Sequence, residues 1–109
     1  MIKSIATVLD EKKAFDIVVI DIRKVSPGAD YVIIASANVD RHAVSLRDAV
    51  KEQLKAEGLN LIRSEEGGGW VVMDFFEVMV HIFLPEMRDK FRLEELWSEG
   101  EILDLGLKH

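Results

Sequence analysis

Residues 69–85 read GWVVMDFFEVMVHIFLP: two apolar runs rich in Val, Phe and Trp, with glycines before them and a proline after. Runs of about seven such residues, bounded by turn formers, predict the two strands of an antiparallel hairpin. With Phe76-Glu77 as the loop, Phe75 faces Val78, Met73 faces Val80 and Val71 faces Ile82 on one side. That side is wholly apolar and is predicted core. The other side sets Trp70 opposite Phe83, Val72 opposite His81 and Asp74 opposite Met79, because successive strand residues point to opposite faces. It mixes large apolar groups with a carboxylate and an imidazole. Such a face is either covered by a helix of the same domain or used on a partner. A two-residue hairpin loop favours Gly, Asn or Asp at positive φ, and Phe-Glu supplies none of them. A longer or bulged loop, with the register one residue off, stays open.

The pattern elsewhere completes a mixed α/β chain. Ile2, Ile5, Ala6 and Leu9 recur at helical spacing within residues 1–15, with Lys12 and Lys13 near the C-terminal end. Residues 16–23, DIVVIDIR, and 30–36, DYVIIAS, are near-continuous apolar runs and predict strands covered on both faces. Ser26-Pro27-Gly28 is the turn between them. The strongest helix is predicted over 38–58, with Asn38 as its N-cap, Asp40 in its first turn and Gly58 ending it. Ala43, Leu46, Val50 and Leu54 form its apolar stripe; Arg47, Asp48, Lys51, Glu52 and Lys55 form a solvated face. Residues 59–63 predict a short third strand, and 64–69 a flexible, acidic, glycine-rich connection. Pro85 starts a third helix that runs to about Ser98, with Met87, Phe91, Leu93, Leu96 and Trp97 as its apolar contacts. Gly100 releases a tail that docks or stays mobile.

Charge and composition narrow the partners. The 109 residues make one domain, without repeats or an internal linker. Twenty acidic residues against 14 basic ones give a formal net charge of −6. Nucleic-acid surfaces gain affinity by placing Lys and Arg on phosphates, and no dense cluster of them occurs here, so little or no direct nucleic-acid contact is expected. A basic protein partner suits the charge. Cysteine is absent, which excludes a disulfide framework and thiolate chemistry. No signal peptide is visible and no apolar run approaches the ~20 residues that span a bilayer. A soluble, cytoplasmic protein with no membrane contact is expected.

Candidate chemistry is thin. Gly67-Gly68-Gly69 lacks the lysine and following helix of a phosphate loop. Asp30, Ser36, Asp40 and His42 contain the residue types of a Ser-His-Asp triad, without a nucleophile-elbow pattern around Ser36. His42 is expected to bond to backbone or a carboxylate near the helix start. The histidines at 42, 81 and 109 have no metal-ligand spacing, and no cofactor is implied.

Three local patterns carry a resemblance. They are Asp30-Tyr31 through Ala35-Ser36 followed by Asp40-Arg41-His42; Trp70-Val71-Val72-Met73-Asp74 followed by Val78-Met79-Val80-His81-Ile82-Phe83; and Pro85-Glu86-Met87-Arg88 followed by Leu93-Glu94-Glu95-Leu96-Trp97. In this order and spacing, from about Phe15 to Trp97, the chain resembles the ribosomal silencing factor family, also called Iojap. The resemblance implies a single-domain mixed β-sheet flanked by helices, related to the nucleotidyltransferase fold, and no catalytic activity. It implies binding to the large ribosomal subunit through its fourteenth ribosomal protein, blocking of subunit joining, and repression of translation. Carried onto this sequence, the contact surface centres on Trp70, Val72, Asp74, Phe76, Met79 and His81. Tyr31, Arg41, His42 and Trp97 are secondary candidates whose alternative role is packing and capping. Self-association as a homodimer through the same face is a further use.

The chain departs from the family pattern at Ala37, Asn38 and Val39, where the family usually has Gly and then Thr or Ser. It departs again at Phe76, where the family usually has Gly. The alternative reading, a nucleotidyltransferase-like enzyme or nucleotide binder, needs a Gly-Ser turn followed by an Asp-x-Asp pair to hold Mg²⁺, and neither is present.

Overall fold

The computed structural model describes residues 2–25, 28–92 and 100–103, Phe91 by its backbone alone. In chain order it contains α1 (Ile2–Glu11), β1 (Phe15–Asp21), β2 (Tyr31–Ser36), α2 (Asp40–Ala56), β3 (Arg63–Gly67), β4 (Trp70–Asp74), β5 (Val78–Phe83), α3 (Pro85–Phe91) and β6 (Glu101–Leu103). The six strands form one mixed sheet in the order β3-β4-β5-β2-β1-β6. β2 and β5 run parallel, joined through α2 and the β3-β4 hairpin, and the other neighbours are antiparallel.

One face of the sheet is the main core. Ile5, Ala6 and Leu9 of α1 and Ala43, Leu46, Val50 and Leu54 of α2 pack there against Val71, Met73, Val78, Val80 and Ile82. All of these are buried because each recurs at the period of its own element, helical for α1 and α2 and two for the strands. The opposite face holds a smaller cluster of Ile20, Ile22, Val32, Ile34 and Phe83, with Trp70 and Met87 packed against it. β2 is thus buried on both sides, as its unbroken apolar run predicts.

The β4-β5 register is the one derived from the hairpin pattern: Trp70 pairs Phe83, Val72 pairs His81 and Asp74 pairs Met79. No longer loop or register shift is needed. Phe76 takes the positive φ itself, at +76°.

Four expectations are corrected. The third strand is residues 63–67, not 59–63, and residues 64–67 are strand rather than connection. Every residue of β3 is exposed, so this edge strand has no buried face to write an alternating pattern into the sequence. The glycine run is no flexible link either. Gly67 pairs Trp70 across a two-residue turn, and Gly69, at φ +87°, donates its N–H to Asp40 Oδ1 at 3.0 Å and accepts from Leu84 N–H at 2.9 Å.

The N-cap of α2 is Val39 and not Asn38, and no side chain caps it. The Asn38 N–H instead donates to His42 Nδ1 at 3.0 Å. Finally, α3 ends at Phe91 with Arg92 left-handed at φ +48°, short of Ser98. Leu93, Leu96 and Trp97 lie outside the described residues, as do Ser26 and Pro27 of the first turn. The tail docks in part, residues 101–103 pairing with β1.

Candidate functional site

The second face of the hairpin is built by the pleat. Pairing across the sheet puts Gly67, Trp70, Phe83 and Ser36 in one row; Glu65, Val72, His81, Ile34 and Val18 in the next; and Arg63, Asp74, Met79, Val32 and Ile20 in a third. The β2 positions of these rows are buried, the β3 positions are exposed, and those of β4 lie between. The expectation that a helix of the same domain covers this face holds only in part. α1 and α2 both pack on the first face, and α3 reaches the second through Met87, leaving Trp70, Val72, Asp74, Met79 and His81 half-buried.

Trp70 lies across its strand partner Gly67. A Cβ at Gly67 would stand 2.5 Å from Trp70 Nε1, so only glycine leaves room for the indole in this position. His81 stacks on Phe83, with ring centroids 6.1 Å apart and planes inclined at 16°. Its Nδ1 is buried without a hydrogen-bond partner among the described residues. Burial lowers its pKa from the usual 6.5 to about 4, so the ring is neutral at pH 7. Asp74 accepts the Phe76 N–H at 2.8 Å, and Phe76 stands at the hairpin tip, 75% exposed.

The secondary candidates are scattered. Tyr31 is half-buried beside Val78, with the Arg23 guanidinium carbon 5.4 Å from its ring centre. Arg23 is held there by Asp21, whose pKa its hydrogen bonds lower. Arg41 is exposed on α2 and borders a groove of about 730 Å³ between α1 and α2, away from the hairpin. His42 has both ring nitrogens engaged: with Nδ1 accepting from Asn38, Nε2 carries the proton and donates to the Lys12 carbonyl at 2.8 Å. It ties the start of α2 to the end of α1. Ser36 Oγ accepts from Arg88 at 2.9 Å, so His42 and Ser36 do not pair as base and nucleophile. Trp97 lies outside the described residues.

Arg88 was not singled out by its sequence context. From α3 it donates both to Ser36 and to the Asp16 carbonyl at 2.5 Å, where β1 bulges and Asp16 takes φ +50°. It fixes α3 to the sheet, and with it the Met87 contact on the second face. A lone Arg after a Pro-Glu-Met start gives no sequence signal of this. Among the described residues, no three His, Asp or Glu side chains converge as metal ligands would, and no helix is long and apolar enough to cross a membrane.

Comparison with known proteins gives a consistent result. A family model described as "RsfS: Ribosomal silencing factor during starvation" matches residues 1–108. The chain is 31% identical to the ribosomal silencing factor RsfS of Bacillus subtilis, over 96% of this chain and 91% of that protein. It is 26% identical, over 89% of its length and 45% of the other's, to a mouse protein named mitochondrial assembly of ribosomal large subunit protein 1. A crystal structure of a Chromobacterium violaceum protein superposes with a TM-score of 0.82 at 30% identity, covering 99% of this chain and 94% of that one.

Proposed function

The chain belongs to the ribosomal silencing factor family, and from that premise we propose that it binds the large ribosomal subunit through its fourteenth ribosomal protein and blocks joining of the small subunit. It acts in the cytoplasm by occupying a surface, without catalysis, and so represses translation. The observation that carries this reading is the half-buried face of Trp70, Val72, Met79 and His81 beside the carboxylate of Asp74. Half-buried aromatic and apolar groups next to a carboxylate make the anchor and the orienting contact of an interface with a basic protein. The net charge of −6 steers the encounter in the same sense. The name of the mouse relative, which refers to assembly of a ribosomal large subunit, agrees with the choice of subunit. Off the ribosome the same face pairs two copies of the chain, so that dimerisation and subunit binding compete.

Co-sedimentation with isolated large subunits, small subunits and whole ribosomes, with reassociation scored alongside, tests the reading. The expected outcome is binding to the large subunit and reduced reassociation. Trp70→Ala is expected to weaken binding about thirtyfold, a loss of ~2 kcal/mol, while the fold is kept. No binding of the parent chain to either subunit refutes the proposal; unchanged binding by Trp70→Ala refutes the role of that face.

A further inference from the structure

Phe76 occupies the place in the hairpin where its own chemistry is most disfavoured. Its φ is +76°, and the Glu77 N–H donates to the Phe75 carbonyl at 3.0 Å, so residues 75–77 form a γ-turn with a positive φ at its centre. That form of the turn is rare and strained, and a bulky side chain makes it worse, whereas glycine adopts it freely. The ring gives the fold little in return: it is 75% exposed and belongs to neither core cluster.

The turn is nonetheless fixed on every side. Asp74 Oδ1 holds the Phe76 N–H at 2.8 Å, the Phe75 N–H donates to Val78 O at 2.9 Å, and the Glu77 carbonyl accepts from Asp30 and Tyr31 N–H at 2.8 and 3.1 Å. An aromatic ring with two side-chain torsions, on a turn held this firmly, loses little freedom when it is bound. Strain that the fold does not recover marks a position kept for function.

Resting on the reading that the hairpin face binds a ribosomal protein, we infer that Phe76 is a specificity-determining anchor that enters an apolar socket rimmed by Lys or Arg on that partner. The surroundings of the ring select this chemistry. Ile62 is exposed, and its N–H donates to the Asp74 carbonyl at 2.8 Å, which sets a second exposed apolar residue just before β3, next to the tip. Asp74, Glu77 and Asp30 stand on or against the turn, with Arg63 across from Asp74, which leaves the tip acidic on balance.

The experiment measures binding of the parent chain, Phe76→Ala and Phe76→Gly to purified large subunits, together with the Tm of each protein. Both variants are expected to bind about thirtyfold more weakly, while the Tm of Phe76→Gly is no lower than that of the parent because glycine relieves the strained turn. Parent-like affinity in both variants overturns the anchor while leaving the silencing reading intact. A Tm for Phe76→Gly lowered by more than about 4 °C overturns it too, since the ring then supports the fold. Absence of binding by the parent chain removes the silencing reading and this inference together.

Discussion

His81 makes folding stability depend on pH in a window set by its burial. The ring sits in the middle row of the second face, flanked by Val72 and Ile34 and stacked on Phe83, and its Nδ1 has no partner among the described residues. Asp74 stands one row away on the neighbouring strand with its Oδ1 turned to the Phe76 N–H, and the loss of hydration on burial is what sets the shift. The pKa falls from 6.5 to about 4. The unfolded chain therefore takes up the proton below about pH 6.5 and the folded chain only below about pH 4. Stability is full above the upper value, falls through the interval, and has lost its whole His81 contribution below about pH 4. A difference of this size corresponds to about 3 kcal/mol, against the roughly 5–15 kcal/mol that holds a small domain together. Urea unfolding of the parent and of His81→Leu at about pH 7 and about pH 4 isolates the effect, because the carboxylates and other histidines are common to both. The stability difference between them is expected to shift by about 3 kcal/mol in favour of the variant at the lower pH. A difference that does not change with pH, or a His81 pKa at or above 6.5 by NMR, refutes the reasoning.

Two further substitutions probe how the face is held. Gly67→Ala normally favours a strand, yet here it places a Cβ 2.5 Å from the Trp70 indole; thermal melts are expected to show a lower Tm, and a raised Tm would mean that the indole does not lie across Gly67. Ser36→Ala removes a buried acceptor of the Arg88 guanidinium; denaturant titration is expected to show a loss of about 1.5–3 kcal/mol, and a change below about 0.5 kcal/mol would show that Arg88 is held by its other contacts alone.

The parts of this fold that sequence reveals are those with one buried side. The β4-β5 hairpin could be paired residue by residue because a one-residue slip would have sent Val71, Met73, Val80 and Ile82 to the wrong face. α2 was legible from Ala43, Leu46, Val50 and Leu54 for the same reason. β3 was misplaced because both its sides face water. Its hold on the molecule comes from pairing with β4 and from Arg47 of α2 reaching Glu66 at 3.0 Å, and neither leaves a periodic trace. The end of α3 was missed because Arg92 adopts a left-handed conformation that usually signals glycine. The candidate face was visible as a composition. What covers part of it was not, since the Met87 contact depends on Arg88 gripping a bulge in β1, some seventy residues away in the chain.

Under the proposed function the hairpin gives folding and binding to alternate residues, and this bears on how the two can change. Val71, Met73, Val80 and Ile82 are 0–2% exposed and belong to the core beneath α1 and α2, so substitutions there act first on folding. Val72, Asp74 and Met79 point the other way and are half-buried, so substitutions there cost the fold less, whereas Trp70 packs against the smaller cluster and over Gly67 and so supports the fold as well. His81 is a further exception, because it lies on the second face and yet is buried deeply enough to lose its proton. A substitution there changes both stability and surface, and only a pH series separates them. Phe76 is the opposite case: it contributes nothing visible to either core cluster, and the conformation it holds favours a different residue. A residue of that kind, disfavoured by the backbone and unsupported by packing, is where the proposed anchor role would account for the side chain and folding does not.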